Sequence, residues 1–264
     1  MKKLLLTVVG LLFWVMPAAA FSVQIDQPKV VLEIAPGQSY TGEMEIVNLE
    51  DKEAPLHVYF QDWVYQEGGN GEKNFSPAGT LSNSASSWLT VTPIETMLKP
   101  YGKLVVRYTL NVPASASGGY NSVLFFETTL GSGKTEGGTR LSLASRIGSL
   151  FFVDVKGTVQ RKGEVRSINI QASSQGSRPV EIKTTFKNTG NTAIVLSGNY
   201  ILMDTQSQVR ALGDLANIYT SPGTTGTATT QWVGRLPKGN YDALLTYELG
   251  GGMNQVEERT FTVE

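Results

Sequence analysis

An all-β protein folded as two consecutive sandwiches is what this sequence predicts, on three observations. From residue 21 onward, apolar residues recur with a period of two and not at helical spacing. The runs are rich in Val, Thr, Tyr and Phe and are separated by clusters of Gly, Pro, Asn and Ser. The chain also echoes itself, each half repeating a turn with proline, a strand, a second proline and a Gly-to-Tyr step. Many short strands with turn-rich connections build sandwiches.

The first twenty residues are of another kind. Met1, Lys2 and Lys3 give a positive start, and residues 4–16 are apolar except for Thr7 and Gly10. Pro17, Ala18, Ala19 and Ala20 then supply the small residues of a cleavage site. This is the pattern of a secretory signal peptide, 1–20, with cleavage expected after Ala20. Loss of Lys2 and Lys3 leaves 20 basic and 23 acidic side chains, a net charge of −3. No later stretch is long and apolar enough to span a bilayer, so the mature chain is expected to be periplasmic or secreted, without a membrane span.

The strands follow by parity. Leu56, Val58 and Phe60 share one face while His57, Tyr59 and Gln61 take the other. Leu104, Val106, Tyr108 and Leu110 repeat the pattern, as do Leu141, Leu143 and Ile147, and then Phe151, Val153 and Val155. Only 212–219 has briefly helical spacing. In the first half, Lys99-Pro100-Tyr101-Gly102 opens a strand, Val112-Pro113 follows, and Gly119-Tyr120 precedes an apolar strand. In the second, Ser221-Pro222-Gly223, Leu236-Pro237 and Gly239-Asn240-Tyr241 take the same order. Each half also has an earlier strand ending in asparagine, at Asn48 and Asn188. A tyrosine just before a late strand suits the corner of an immunoglobulin-like sandwich, the structural role expected of Tyr120 and Tyr241. Two tandem immunoglobulin-like domains result, 21–157 and 158–264, meeting in the glycine-bracketed stretch 156–163. So short a linker predicts a fixed interdomain angle with a cleft.

Composition narrows the function. With 22 Lys+Arg against 23 Asp+Glu the chain lacks the basic excess of a nucleic-acid binder, and none is expected as partner. It has no cysteine, which excludes disulfides, thiolate zinc sites and cysteine nucleophiles. Gly131-Ser132-Gly133-Lys134-Thr135 looks like a phosphate loop, but Thr128 stands where the first glycine belongs, and Glu136-Gly137-Gly138 breaks the required helix. A hairpin loop is the expectation there. The one histidine, His57, sits in an alternating strand with no partner evident, and no calcium loop occurs. No catalytic residue, metal or cofactor is expected, and binding or assembly is the favoured class.

Residues 22–155 resemble the N-terminal domain of periplasmic pilus-assembly (fimbrial) chaperones, and more broadly the immunoglobulin-like domains of WxL-associated bacterial surface proteins. The residues that carry the likeness run in order: Ser22 through Leu32, Pro36-Gly37-Gln38, Met44-Glu45-Ile46-Val47-Asn48, Thr92-Pro93, Lys99-Pro100-Tyr101-Gly102-Lys103 with Val105-Val106-Arg107, and Arg146 through Phe152. The second domain, with Phe186-Lys187-Asn188-Thr189-Gly190-Asn191 and Trp232 through Gly239, is closer in style to the surface proteins. The resemblance implies a divergent chaperone that offers the edge of its first domain's last strand to a protein lacking one strand. It implies further that two cations in the cleft hold the partner's C-terminal carboxylate. Lys29 falls on the first of these positions; the second falls on Gly148 or Ser149, with Arg146 the nearest cation. Leu141, Leu143 and Ile147 have the parity of side chains that fill a partner's groove. Asn121 and Val153 stand where the family's interdomain charges are expected.

The expected partner is therefore a protein, bound through Lys29, Leu141, Leu143, Arg146 and Ile147. The alternative is a two-domain surface adhesion module binding an envelope protein or peptidoglycan through the long polar stretch 66–87. A hydrolase built around His57 is the third reading.

Overall fold

The computed structural model describes residues 23–134, 140–172 and 179–264, with the side chains of 130–143 outside that description. The signal peptide expected at 1–20 lies outside the described residues.

The first sandwich holds ten strands: β1 (Val23–Ile25), β2 (Lys29–Ile34), β3 (Ser39–Asn48), β4 (Ala54–Tyr65), β5 (Lys73–Pro77), β6 (Leu89–Thr92), β7 (Glu95–Leu98), β8 (Lys103–Asn111), β9 (Gly119–Lys134) and β10 (Arg140–Val155). One sheet runs β1-β3-β8-β6, and the facing sheet runs β2-β10-β9-β4-β5 with β7 also on β4. The first strand changes sheets at Pro28, whose carbonyl accepts from the Leu150 N–H at 3.0 Å. A proline has no N–H to give a ladder and so suits such a break.

The alternating residues fill the space between the sheets. Val106, Tyr108 and Leu110 on β8 face Leu124 and Phe126 on β9 and Phe151 and Val153 on β10, all buried in one cluster. Burial of each such side chain contributes about 1.5–3 kcal/mol.

The second sandwich holds β11 (Gly163–Gln171), β12 (Val180–Asn188), β13 (Ile194–Asp204), β14 (Val209–Asp214), β15 (Ile218–Thr220), β16 (Thr225–Trp232), β17 (Gly239–Gly250) and β18 (Met253–Val263). Its sheets are β11-β12-β16 and β14-β13-β17-β18, with β15 on β13. A separate buried cluster fills it, including Phe186, Leu202, Leu245 and Tyr247. The fold class is that read from the sequence.

Four local expectations meet a different outcome. The helical spacing at 212–219 is taken up by β14 and β15, because pairing with β13 sends Ala211 inward and leaves Leu212 outside. The stretch 66–87 is not one long loop: β5 within it pairs with β4 from Gln61↔Pro77 to Tyr65↔Lys73. Gly131–Lys134, expected as hairpin loop, continues β9 and pairs with β10 beyond a bulge between Leu143 and Ala144. Tyr241 makes the expected corner, its hydroxyl donating to the Pro237 carbonyl at 2.9 Å, whereas the Tyr120 ring packs on Trp88 at 4.1 Å.

The two sandwiches are joined by more than the linker. Gly68 and Gly69, in the β4–β5 connection, accept from the N–H groups of Thr227 (3.0 Å) and Tyr219 (3.1 Å). Gly69 has φ +88, and a Cβ there would stand 2.8 Å from the Thr227 nitrogen, so only glycine allows this approach. Asp154, at the end of β10, pairs with Arg161 and accepts from Thr192 Oγ1 at 3.1 Å. Val153, where the resemblance implies an interdomain charge, is itself buried in the first core.

Candidate functional site

The site grows from the unequal lengths of β10 and β2. Parallel pairing with β2 covers β10 from Leu150 to Val155 only. From Arg140 to Ser149, β10 is bonded to β9 alone among the described residues, leaving ten residues of sheet edge open. Ser149 closes the covered part, its Oγ donating to the Gln27 carbonyl at 2.6 Å. Since the Leu150 N–H faces β2, the period of two turns the N–H and C=O of Ala144, Arg146 and Gly148 toward the open side.

The hairpin also outruns its neighbour. Pairing of β9 with β4 ends at Leu56↔Thr128, while β9 continues to Lys134. Six residues at about 3.3 Å each extend it by roughly 20 Å past that last pair.

The predicted site residues divide by face. Ile147 is half-buried against the first core. Leu141 and Leu143 share its parity in a strand paired opposite Gly133 and Gly131, but their side chains lie outside the described residues. Lys29 and Arg146 belong to the opposite, outer face. Lys29 pairs with Leu150 and holds its Nζ 4.8 Å from the Phe152 ring centre. Arg146 lies over Phe125 at 4.3 Å and Phe75 at 5.8 Å, and its Nη1 donates to the Tyr59 hydroxyl at 3.4 Å. Four residues of strand, about 13 Å, separate Arg146 from Leu150, the partner of Lys29. Each cation stands over its own aromatic ring.

Gly148 and Ser149, the positions of the family's second cation, are closed to one. A Cβ at 148 would come within 2.9 Å of both Phe125 and Val123. Ser149 is fully buried.

Sequence reasoning missed the outer face of this sheet. Trp63, Tyr65, Val123 and Phe125 form a third buried cluster there, packed against Ala193, Val195 and Tyr219 of the second sandwich. The Trp63 Nε1 donates to the Ser122 carbonyl at 2.8 Å. Burial, and then the nearby Tyr219, push the Tyr65 phenol up to about 12. The signal was present: toward its end β4 is apolar at both parities, as a strand covered on two faces must be. Beneath it, on the inner side, Asp62 is fully buried and accepts from Ser84 Oγ (2.5 Å), Ser86 Oγ (2.6 Å) and the Thr80 and Leu81 N–H groups.

His57 is exposed, stacks on Tyr59 at 4.9 Å and stands between Glu95 and Glu127. The Tyr59 hydroxyl donates to Glu127 Oε2 at 2.7 Å. Burial, and then that carboxylate, raise the Tyr59 phenol above its ordinary value, with Arg146 opposing. Among the described residues no group of three His, Cys, Asp or Glu is placed to hold a metal ion.

No family model matches the chain, and no curated protein does. Among solved structures, the fold is similar to the class 5 fimbriae chaperone CfaA at 13% identity, over 92% of this chain and 99% of that one, with a TM-score of 0.45. It is similar to a chain of the CsuC–CsuE chaperone–tip adhesion subunit pre-assembly complex of Acinetobacter baumannii at 14% identity, over 90% and 98%, TM-score 0.45. A chain of the Salmonella enterica SafA pilin–SafB chaperone complex matches at 12% identity, over 93% and 98%, TM-score 0.41. Each of these three solved structures is a fimbrial chaperone or a complex that includes a chaperone. Among the described residues no helix is long and apolar enough to cross a membrane.

Proposed function

We propose that the chain is an exported, non-catalytic chaperone-like protein that binds an immunoglobulin-like subunit or envelope protein by adding β10 to its sheet. The observation that carries this reading is the open edge of β10 from Arg140 to Ser149, on a hairpin that outruns β4. An unpaired edge is a template for another strand, and proteins that do not use one cover or blunt it. Strand addition supplies main-chain hydrogen bonds, and the alternate side chains of Leu141 and Leu143 would fill the partner's groove, whereas Ile147, expected in the same row, packs on the chain's own first core. Lys29 and Arg146, unpaired with any carboxylate among the described residues, are the cations that would fix the partner's register through charge-assisted bonds. Adhesion through the loop 66–87 finds less support, since that segment is divided between β5 and contacts with the second sandwich.

The test is capture from a periplasmic extract by the mature chain, with the captured protein identified by mass spectrometry and its co-elution then measured. Leu141→Asp is expected to abolish co-elution with the melting temperature unchanged. A variant that unfolds, or that still captures the same protein, overturns the reading.

A further inference from the structure

Beside the root of the β9–β10 hairpin, on the outer face of the sheet, one cross-strand row joins four strands. His57 on β4 stands opposite Glu95 on β7 and, on its other side, opposite Glu127 on β9; Glu127 in turn stands opposite Arg146 on β10. Side chains directly opposed across antiparallel strands are near neighbours, with Cβ atoms about 4.5–5.5 Å apart. Two carboxylates therefore flank one imidazole. A cavity of about 440 Å³ opens over them, with Pro55, Met97 and Thr129 in its wall.

The charges in this cavity are not balanced from within. Neither Glu95 nor Glu127 forms an ion pair with a Lys or Arg among the described residues. Arg146 stands over the Phe125 ring with its Nη1 on the Tyr59 hydroxyl, and is not part of the cavity wall. The remaining wall combines the apolar Pro55, Leu56 and Met97 with Thr96 and Thr129, and Met97 is 52% exposed although it lies in a paired strand. Acid on two sides and a thioether with a proline ring on a third fit a cation carried on an aliphatic stem.

We propose that this cavity receives the ammonium or guanidinium group of a lysine or arginine on the protein partner. The assignment rests on the strand-addition reading for the identity of the occupant, and on charge complementarity for its chemistry. Position supports it: Thr129 is the first residue of β9 beyond the last β4 pair, so a body gripping the projecting hairpin overhangs the cavity. The cavity would then select among partners by charge, close to the edge that binds them all through backbone.

The test uses N-acetyl-arginine amide and N-acetyl-lysine amide as probes on the isotope-labelled mature chain, followed by NMR, with N-acetyl-alanine amide as control. Saturable shifts are expected at His57, Met97 and Thr129 with the two cationic probes and not with the control. Glu95→Gln combined with Glu127→Gln is expected to weaken probe binding at least about tenfold, because a charge-assisted contact is lost on both sides. The glutamine at 127 keeps an oxygen for Tyr59, and an unchanged melting temperature verifies the fold. Shifts equal to those of the alanine control, or undiminished in the double variant, overturn the proposal. Leu141→Asp separates it from the reading it rests on: loss of capture with probe binding retained supports both. Probe binding with capture insensitive to Leu141→Asp sinks strand addition and leaves the cation site standing.

Discussion

Asn188 does in the second sandwich what Asn48 does in the first. Both are fully buried at the end of a strand. Each donates from Nδ2 to the carbonyl four residues on, Lys52 at 2.8 Å and Thr192 at 2.9 Å, and accepts at Oδ1 from the N–H two residues on, Glu50 and Gly190. Each also reaches the carbonyl of a residue just ahead of the proline turn, Lys99 at 3.0 Å and Thr220 at 3.4 Å. The internal echo in the sequence is therefore an echo of hydrogen bonding, with one asparagine tying two loops together in each half.

Truncation of either asparagine strands a buried set of donors and acceptors. Asn48→Ala and Asn188→Ala are each expected to cost about 2 kcal/mol, since buried polar groups left without partners carry their full desolvation penalty. A fall in melting temperature of roughly 5–10 °C in each variant is the corresponding reading by calorimetry. Equal stability to the parent chain would show that the turns hold themselves.

Asp62 makes stability depend on acid. Burial alone raises its pKa, but the Ser84 and Ser86 hydroxyls and the backbone donors of the 79–81 turn together outweigh burial and hold the carboxyl below its ordinary value of 3.8. A depressed folded-state value means the contribution is complete above the unfolded-state value and is lost as pH falls through the folded one. Denaturant melts are expected to show stability level above about pH 5 and declining below pH 3.8. Asp62→Asn is expected to be less stable by about 2–3 kcal/mol at pH 7 and to show a flatter acid limb. An unchanged acid limb in that variant would assign the decline to other carboxylates.

Gly148→Lys places a cation where the family resemblance would have it. Phe125 and Val123 occupy that space, so the variant is expected to lose about 1–3 kcal/mol through overpacking. Chemical melts of the parent and the variant decide it, and a stable Gly148→Lys would mean that the aromatic face yields.

How much of this was legible in the sequence follows from the range of the interactions. Parity placed Val106, Tyr108, Leu110, Phe151 and Val153 inside, because a two-residue period is local and one face must be buried. The asparagines and Tyr241 were visible as repeats, although their bonding partners were not. The separation of Lys29 from Arg146, the exclusion of a cation at 148, and the row Glu95–His57–Glu127–Arg146 depend on which strands lie side by side. Pairing between residues some 20 to 120 positions apart leaves no local mark. The bond from Gly69 to Tyr219 is of the same kind, joining a turn read as free loop to a segment read as helix.

That bond makes the interdomain angle testable. Gly69→Val adds a side chain at φ +88, with its Cβ 2.8 Å from the Thr227 nitrogen, and is expected to lift the β4–β5 connection off the second sandwich. Each core keeps its own residues, so calorimetry is expected to resolve two transitions further apart than in the parent, and small-angle scattering a larger radius. A single, unshifted transition would place the rigidity elsewhere, in Asp154 and Arg161 or the aromatic cluster around Trp63.

Hydrogen exchange reads the edge itself, without any partner. If β10 is open from Arg140 to Ser149, amides that face β9 and amides that face outward must differ residue by residue. Ser145 and Ile147 lie on the bonded side and are expected to exchange slowly, by a factor of about 100 or more relative to an unfolded chain. Ala144, Arg146 and Gly148 face the open side and are expected to exchange within about tenfold of the unfolded rate. The contrast should vanish at Leu150 and Phe152, where β2 covers the strand. A partner that adds a strand would then slow Ala144, Arg146 and Gly148 specifically within 144–149, since their N–H groups face the open side. Uniform protection along 144–149 in the isolated chain would mean that another segment already occupies the edge, and strand addition would have to displace it first.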